Sequence, residues 1–398
     1  MQVKSMMSFQ VATLVALLAI GAFSMPQKQT FSHEGVGYAV LNHTVQPAPD
    51  GCTINSVKDV ASVCAACTKI NVGSFSVPAA NQPLIMNLKQ GTTVTFTGTI
   101  KFDKHAVNGY LMEIIGTKVN VVGSNTHQLH GRGEQYWDGK GGAGGPKPTF
   151  LYLKATGGSH FAGLHLKNCP ERCVAIDGSN DITVSGFLVD NREGEPGKAP
   201  KGKEGHNTDG FDVAKTQYLT LKDHVVYNQD DCVAINCGAH MTIDNVNCDG
   251  SHGFDIATGM SKTDQARNIV NNVTFKNSKL FNGMYGLHIL TCNDGGKGSV
   301  SNINYENISI QGPSDYGIMI QQDFSDKSQG STGHPTGNVP ISNVRFNAVT
   351  GNMNGKYSSA LTIRCASGAC NNIGLNNVKI TGAKAKNECT GYKVNGFC

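Results

Sequence analysis

The chain has one tryptophan in 398 residues, an aromatic fraction of 7% and a charged fraction of only 16%. It lacks any run of basic residues and any arginine stripe interleaved with aromatics, so no nucleic acid partner is expected. Long apolar stretches are missing as well. The longest, residues 11–22, falls short of the roughly 20 residues needed to span a bilayer, so no membrane partner is expected either. There is no glycine-rich phosphate loop and no dinucleotide fingerprint. Cys64 and Cys67 have zinc-knuckle spacing, but no second Cys/His pair follows at a suitable distance. No cofactor and no metal are therefore expected. Helical periodicity is scarce: the one amphipathic stretch, residues 57–67, places Val57, Val60, Ala61 and Cys64 on one face, which suits a cap over the open end of a sheet.

What is plentiful is glycine, 48 residues, together with Asn, Val, Ile and Thr. That composition belongs to a turn-rich all-β chain. At the N-terminus Lys4 precedes the apolar run, and the small residues Ala22 and Ser24 follow it. The pattern predicts a signal peptide over residues 1–24, a short extension or propeptide over 25–51, a folded domain over 52–398, and a secreted product. Three glycosylation sequons, at Asn42, Asn272 and Asn307, fit that route. Thirteen cysteines in an exported chain imply disulfides, and the odd number leaves at least one without an internal partner. Cys365 with Cys370 and Cys389 with Cys398 read as short staples near the C-terminus. The formal net charge of +4 would weakly attract an acidic polymer.

From about residue 95 a short alternating apolar phrase recurs, opening at Ile182, Leu219, Met241, Val273, Ile303, Val344 and Ile373. The intervals are 37, 22, 32, 30, 41 and 29 residues, so coils of about 22 to 30 residues with insertions are expected. A single phrase cannot bury its apolar face, and stacking successive coils supplies the core of a parallel β-solenoid. A β-sandwich also has many short strands, but adjacent phrases are not regularly separated by the Asn-Gly or Asp-Gly hairpins of an antiparallel meander.

The chemistry collects in four segments: Asn207-Thr208-Asp209-Gly210-Phe211-Asp212, Gln229-Asp230-Asp231-Cys232, Ser251-His252-Gly253 and Tyr285-Gly286-Leu287-His288-Ile289-Leu290-Thr291. Asp209, Asp230 and Ser251 are separated by equal steps of 21 residues. Coils stack about 4.8 Å apart, so carboxylates and an imidazole should crowd one patch of the outer wall. Crowded carboxylates cannot all ionise, which leaves a protonated acid beside an ionised base, as acid/base hydrolysis requires. Taken singly, each has a structural reading: an Asp bonding turn backbone, a solvated pair, a turn histidine. Asp212 keeps that reading, as a side chain satisfying backbone.

On these residues the chain resembles the polygalacturonases, family 28 of the glycoside hydrolases, in their fungal and insect endo-acting form. Further stretches resemble the family, among them Tyr136-Trp137-Asp138-Gly139 and Tyr316-Gly317-Ile318-Met319-Ile320-Gln321-Gln322-Asp323, and the likeness runs from Cys52 to Cys398. It implies a single-domain, right-handed parallel β-helix of the pectin-lyase-like kind, a monomer, acting on pectic polysaccharide. It further implies that Asp230 protonates the glycosidic oxygen, that Asp209 and Asp231 activate water with inversion, and that His252 tunes the acid. Inversion needs carboxylates about 6.5–9.5 Å apart, so Asp230 and Asp231 should splay at a bulge or turn. Asn207, Ser251, His288, Leu290 and Tyr316 fall on substrate-binding positions. The same resemblance pairs Cys52 with Cys67 and Cys232 with Cys248, leaving Cys64, Cys169, Cys173, Cys237 and Cys292 unassigned.

The chain departs from the family where an Arg-Ile-Lys motif holds a galacturonate carboxylate: here it reads His288-Ile289-Leu290, and both fixed cations are gone. Three readings follow. His288, protonated in a mildly acidic lumen, partly replaces the charge of an active polygalacturonase. Or the hydrolase acts on a less acidic backbone, methylated, xylose-decorated or rhamnose-alternating. Or the protein binds pectin without turnover, as a decoy.

Overall fold

A three-residue alternating phrase turns two apolar side chains to one face and must find neighbours above and below. The computed structural model describes residues 28–33, 36–41 and 48–398, and in it the phrases stack in one column. Ile182 pairs with Leu219, Leu219 with Met241, Met241 with Val273, Val273 with Ile303, Ile303 with Val344 and Val344 with Ile373, every pair parallel. All the phrase openings read from the sequence therefore occupy one level of one sheet. The chain is a right-handed parallel β-helix whose strands join one network from Thr53–Ile54 to Glu388–Thr390.

Inside it, Phe254, Phe275, Tyr305 and Phe346 form a stack with centroid separations of 5.1, 4.9 and 4.9 Å. All four are fully buried. The corners explain the recurrent asparagines. Asn245, Asn277 and Asn307 adopt φ of 54°, 53° and 52°, a left-handed conformation that Asn tolerates. Their amides ladder from coil to coil, Asn245 Nδ2 donating to Asp223 Oδ1 at 2.7 Å and Asn307 Nδ2 to Asn277 Oδ1 at 2.9 Å.

The helix Val60–Ala66 buries Val60, Val63 and Cys64 and packs on strands Thr53–Ile54 and Leu84–Asn87. It starts later than expected because Asp59 Oδ2 accepts the N–H groups of Asn55 and Ser56 in a turn. The four expected disulfides form, Cys52–Cys67, Cys232–Cys248, Cys365–Cys370 and Cys389–Cys398, with a fifth at Cys169–Cys173. Cys64, Cys237 and Cys292 are buried thiols. The 1–24 segment and Asn42 lie outside the described residues; of the 25–51 segment, strands Lys28–His33 and Val36–Leu41 pair antiparallel. No helix among the described residues is long and apolar enough to cross a membrane.

A second run of parallel strands carries the polar residues: Phe211–Ala214, Val233–Ile235, Phe254–Thr258, Tyr285–Cys292 and Tyr316–Ser325. Val213, Ile235, Ile256, Ile289 and Ile320 form one inward column. One residue earlier, on the outer face, Asp212, Ala234, Asp255, His288 and Met319 form another.

Candidate active site

Three turns enter this sheet, carrying Asp209, then Asp230 and Asp231, then Ser251 and His252. The equal steps of 21 residues suggest that Asp209 and Asp230 share a rung. They do not. Phe211 pairs with Val233, 22 residues on, and Gly210 N–H donates to Asp231 O at 2.8 Å, so Asp209 is level with Asp231. Asp230 and Asp231 sit in the turn between strands Thr216–Tyr227 and Val233–Ile235 rather than alternating through a strand. Asn228 holds that turn, its Nδ2 shared among the carbonyls of Thr208, Asp230 and Asp231 at 3.1, 2.9 and 2.8 Å. Gly253, at φ 88°, could not be replaced: a Cβ there would lie 2.1 Å from Gly286 O.

The turns converge on Asp230. His252 Nδ1 lies 3.2 Å from its Oδ1, Asn207 Nδ2 donates to its Oδ2 at 3.0 Å, and Asp231 N–H donates to its Oδ1 at 2.9 Å. Ser251, placed by the family pattern on the substrate, is 1% exposed and its hydroxyl accepts Gly253 N–H at 3.1 Å. Its side chain faces the turn, not the cleft. Asp212 does not satisfy backbone as expected: its Oδ1 lies 3.6 Å from Arg172 Nε, and its Oδ2 has no partner.

Charge in this cluster is divided. Burial pushes the Asp209 and Asp231 carboxyls well up, neighbouring carboxylates adding to the effect. Burial also acts on Asp230, but the hydrogen bond and charge of His252 with the Asp231 N–H outweigh it, and Asp230 sits below its ordinary value. Asp212 is pushed up to about 7 by burial, against the pull of Arg172. Protonated and ionised carboxyls therefore coexist within one patch.

Toward the later coils the outer face changes character. His288 is 4% exposed, with its Nδ1 3.6 Å from Asp255 Oδ2 and Gln321 Nε2 3.0 Å from its Nε2. Burial holds its imidazole down to about 3. The expectation of a cationic His288 in a mildly acidic medium is therefore not met, because the ring is enclosed and neutral. Leu290 lies between Ala257 and Gln321. Tyr316 is level with Tyr285, ring centroids 5.7 Å apart, and Tyr285 in turn touches His252 and His288 at 5.7 and 5.1 Å. Hollows flank the acids: one of about 450 Å³ beside Arg172, Asp212 and Arg267, another of about 480 Å³ beside His206, His252 and Met284.

The sequence pattern of the glycosyl hydrolases family 28 matches residues 67–398. The chain belongs to this family. It is 40% identical to a polygalacturonase of Phaedon cochleariae over 351 residues, 87% of this chain and 94% of that one. It is 36% identical to endopolygalacturonase B of Aspergillus oryzae over 352 residues, 88% and 93% of the two chains. Among solved structures, endopolygalacturonase I from Stereum purpureum, complexed with two galacturonate, superposes with a TM-score of 0.72 at 31% identity, covering 86% of this chain and 99% of that one. This family 28 chain is accordingly a glycoside hydrolase by descent and fold.

Four residues close to the acids have no role assigned from the sequence: Arg172, Asp255, Tyr285 and Gln321. Tyr285 opens the segment that carries His288, Gln321 lies in the family-like stretch from Tyr316 to Asp323, and Asp255 is an acid at an outward position between Phe254 and Ile256. Asp230, Asp231 and His252 present ligand atoms within 4.8 Å of one another, a set that could hold a cation, although His252 and Asp230 are already paired.

Proposed function

We propose that the protein is a secreted pectin hydrolase that cleaves α-1,4-galacturonosyl bonds with inversion, working as a monomer on its polymer. The observation that supports this best is the convergence of Asp209, Asp230, Asp231 and His252 on the outer wall of a family 28 β-helix. Asp230 is the general acid, and Asp209 and Asp231 activate the water. In the free site Asp230 is ionised, so its proton arrives as substrate covers the site. His252 Nδ1, 3.2 Å from Asp230 Oδ1, is in reach to tune the acid through a hydrogen bond. Asn207 and Tyr316 line the sugar path. The exposed Asn272 and Asn307 fit N-glycosylation during export, as does the signal-like N-terminus.

The test is release of reducing ends from demethylated, methylated and branched pectins, with the anomer of the first product read by NMR. Inversion is expected. Retention would remove the assigned roles, and no release from any pectin would favour the binding-only reading. That second reading draws on one observation, the absence of a cation at His288 and Leu290.

A further inference from the structure

The chain has six arginines. Four are hydrogen-bonded through their guanidinium groups: Arg132 to Asp103, Arg192 to Asp190, Arg345 to the Asn372 carbonyl and Arg364 to Glu388, at 3.0, 2.8, 2.6 and 3.1 Å. The guanidinium groups of the other two, Arg172 and Arg267, make no hydrogen bond among the described residues, and both border the same hollow of about 450 Å³. The Arg172 side chain is 47% exposed and lies 3.6 Å from Asp212 and 4.0 Å from Glu171, beyond hydrogen-bond reach of either. Arg267 is exposed and has no ion-pair partner among the described residues. Two planar forks of unused donors facing one hollow suit a carboxylate, which takes such a fork through both oxygens.

The rest of the lining suits a sugar. The hollow opens on the outward face of the strands that follow the acid-bearing turns, where Ala175 pairs with Asp212 and Ala214 with Asp177. The two methyl groups leave the floor low, Tyr110 supplies an apolar wall and Asn236 an amide for hydroxyls. Asp177 is paired with Lys215 at 3.1 Å and Asp212 faces Arg172, so the charge of Arg267 is left over. The Arg267 turn is held in place by the buried Asn268, which bonds both the N–H and the carbonyl of Ser261, at 3.0 and 2.7 Å. Arg172 also joins the hollow to the acids, being near enough to Asp230 for that carboxylate to help hold its charge.

We propose that this hollow is a subsite for an ionised uronate residue of the polymer, its carboxylate held by Arg172 and Arg267 while the sugar lies over Ala175 and Ala214. The inference rests on the pectin-hydrolase reading and names, within it, the residues that select for charge. The sugar so held sits beside the acids on the side of the earlier coils, so selection for charge acts away from the bond being cut.

The test is calorimetric binding at pH 7 to the Asp230→Asn protein, which spares the ligands from cleavage, with unesterified and fully methyl-esterified oligogalacturonates of equal length. Adding Arg267→Gln should weaken binding of the unesterified oligomer about three- to tenfold and leave the esterified one unchanged, and Arg267→Lys should restore part of the loss. Lys279, exposed on the strand Ile269–Phe281 of another sheet, provides the control. Lys279→Gln removes an equal charge away from the hollow and should move the preference far less. A preference that falls no further at Arg267→Gln than at Lys279→Gln overturns the inference, and leaves the hydrolase reading standing if the unsubstituted protein releases reducing ends from pectin. If neither oligomer binds and no pectin is cut, both fall together. Arg172→Gln should lower the preference as well, but it also takes the partner from Asp212; should that variant not fold, Arg267→Gln still decides the matter.

Discussion

Ile256 and Ile289 pair across neighbouring strands, and so do Asp255 and His288 immediately before them. The inward pair is one level of a uniform aliphatic column; the outward pair belongs to a column in which acid, alanine, acid, imidazole and thioether succeed one another. Inside, each residue meets copies of itself above and below, so packing selects one shape and repeats it. Outside, the backbone is equally regular but nothing demands repetition. Each rung is free to carry a different chemistry. Stability and catalysis are thus divided between the faces of the same strands, which makes them separable by substitution.

The sharpest separation is expected at Asp230→Asn. Hydrolysis should fall by about 10²- to 10⁴-fold, while unfolding free energy falls by no more than about 1–3 kcal/mol, since the amide keeps part of the bonding to Asn207 and the Asp231 N–H. Reducing-end release and thermal unfolding on one preparation measure both. Unchanged turnover would take Asp230 out of the mechanism, and a large drop in melting temperature would make it a structural residue after all.

The converse is Phe275→Ala, in the middle of the aromatic stack and fully buried. It should cost about 3–5 kcal/mol in denaturant unfolding, while the residual folded protein keeps its affinity for oligomers. A loss below about 1 kcal/mol would mean that the stack is not the core of these coils.

Asn228 belongs to both faces, since its buried amide ties the turn that presents Asp230 and Asp231. Asn228→Ala should therefore cost about 1–3 kcal/mol and also lower kcat more than it raises KM. If turnover is unaffected despite the lost stability, the turn keeps its shape without the amide.

The smallest effect concerns pH. Asp212 sits near 7 when folded, against about 3.9 unfolded. The folded state then binds the extra proton between those values, so this group's share of stability is complete below about pH 4 and is lost as pH rises toward 7. Asp212→Asn removes that dependence, and its melting temperature should decline less than wild type between pH 4 and pH 7. Parallel declines in the two proteins would show that Asp212 ionises normally.

Reading the sequence succeeded where a residue's role is set by its near neighbours. The openings at Ile182, Leu219 and Met241 were visible because alternation has period two, and the ladder aligned them as read. The rung shared by Asp209 and Asp231 was misread because one added residue in the intervening loop shifts the level, and no local pattern records loop geometry. Arg172 was invisible for a related reason: it lies 40 residues before Asp212 in the chain and meets it only after the coils close.

What the sequence determined by itself is the solenoid and the two short staples near the C-terminus, since strand period and close cysteine spacing are written within a few residues; the pairs Cys52–Cys67 and Cys232–Cys248 and the roles expected of the three aspartates and His252 came with the family resemblance. Only the tertiary structure decided the charge at the site. That Asp230 is held below its ordinary value and that His288 stays neutral both depend on how much water reaches each group and which charges surround it. Burial and field arise from coils far apart in the chain, so they exist only once the helix has wound.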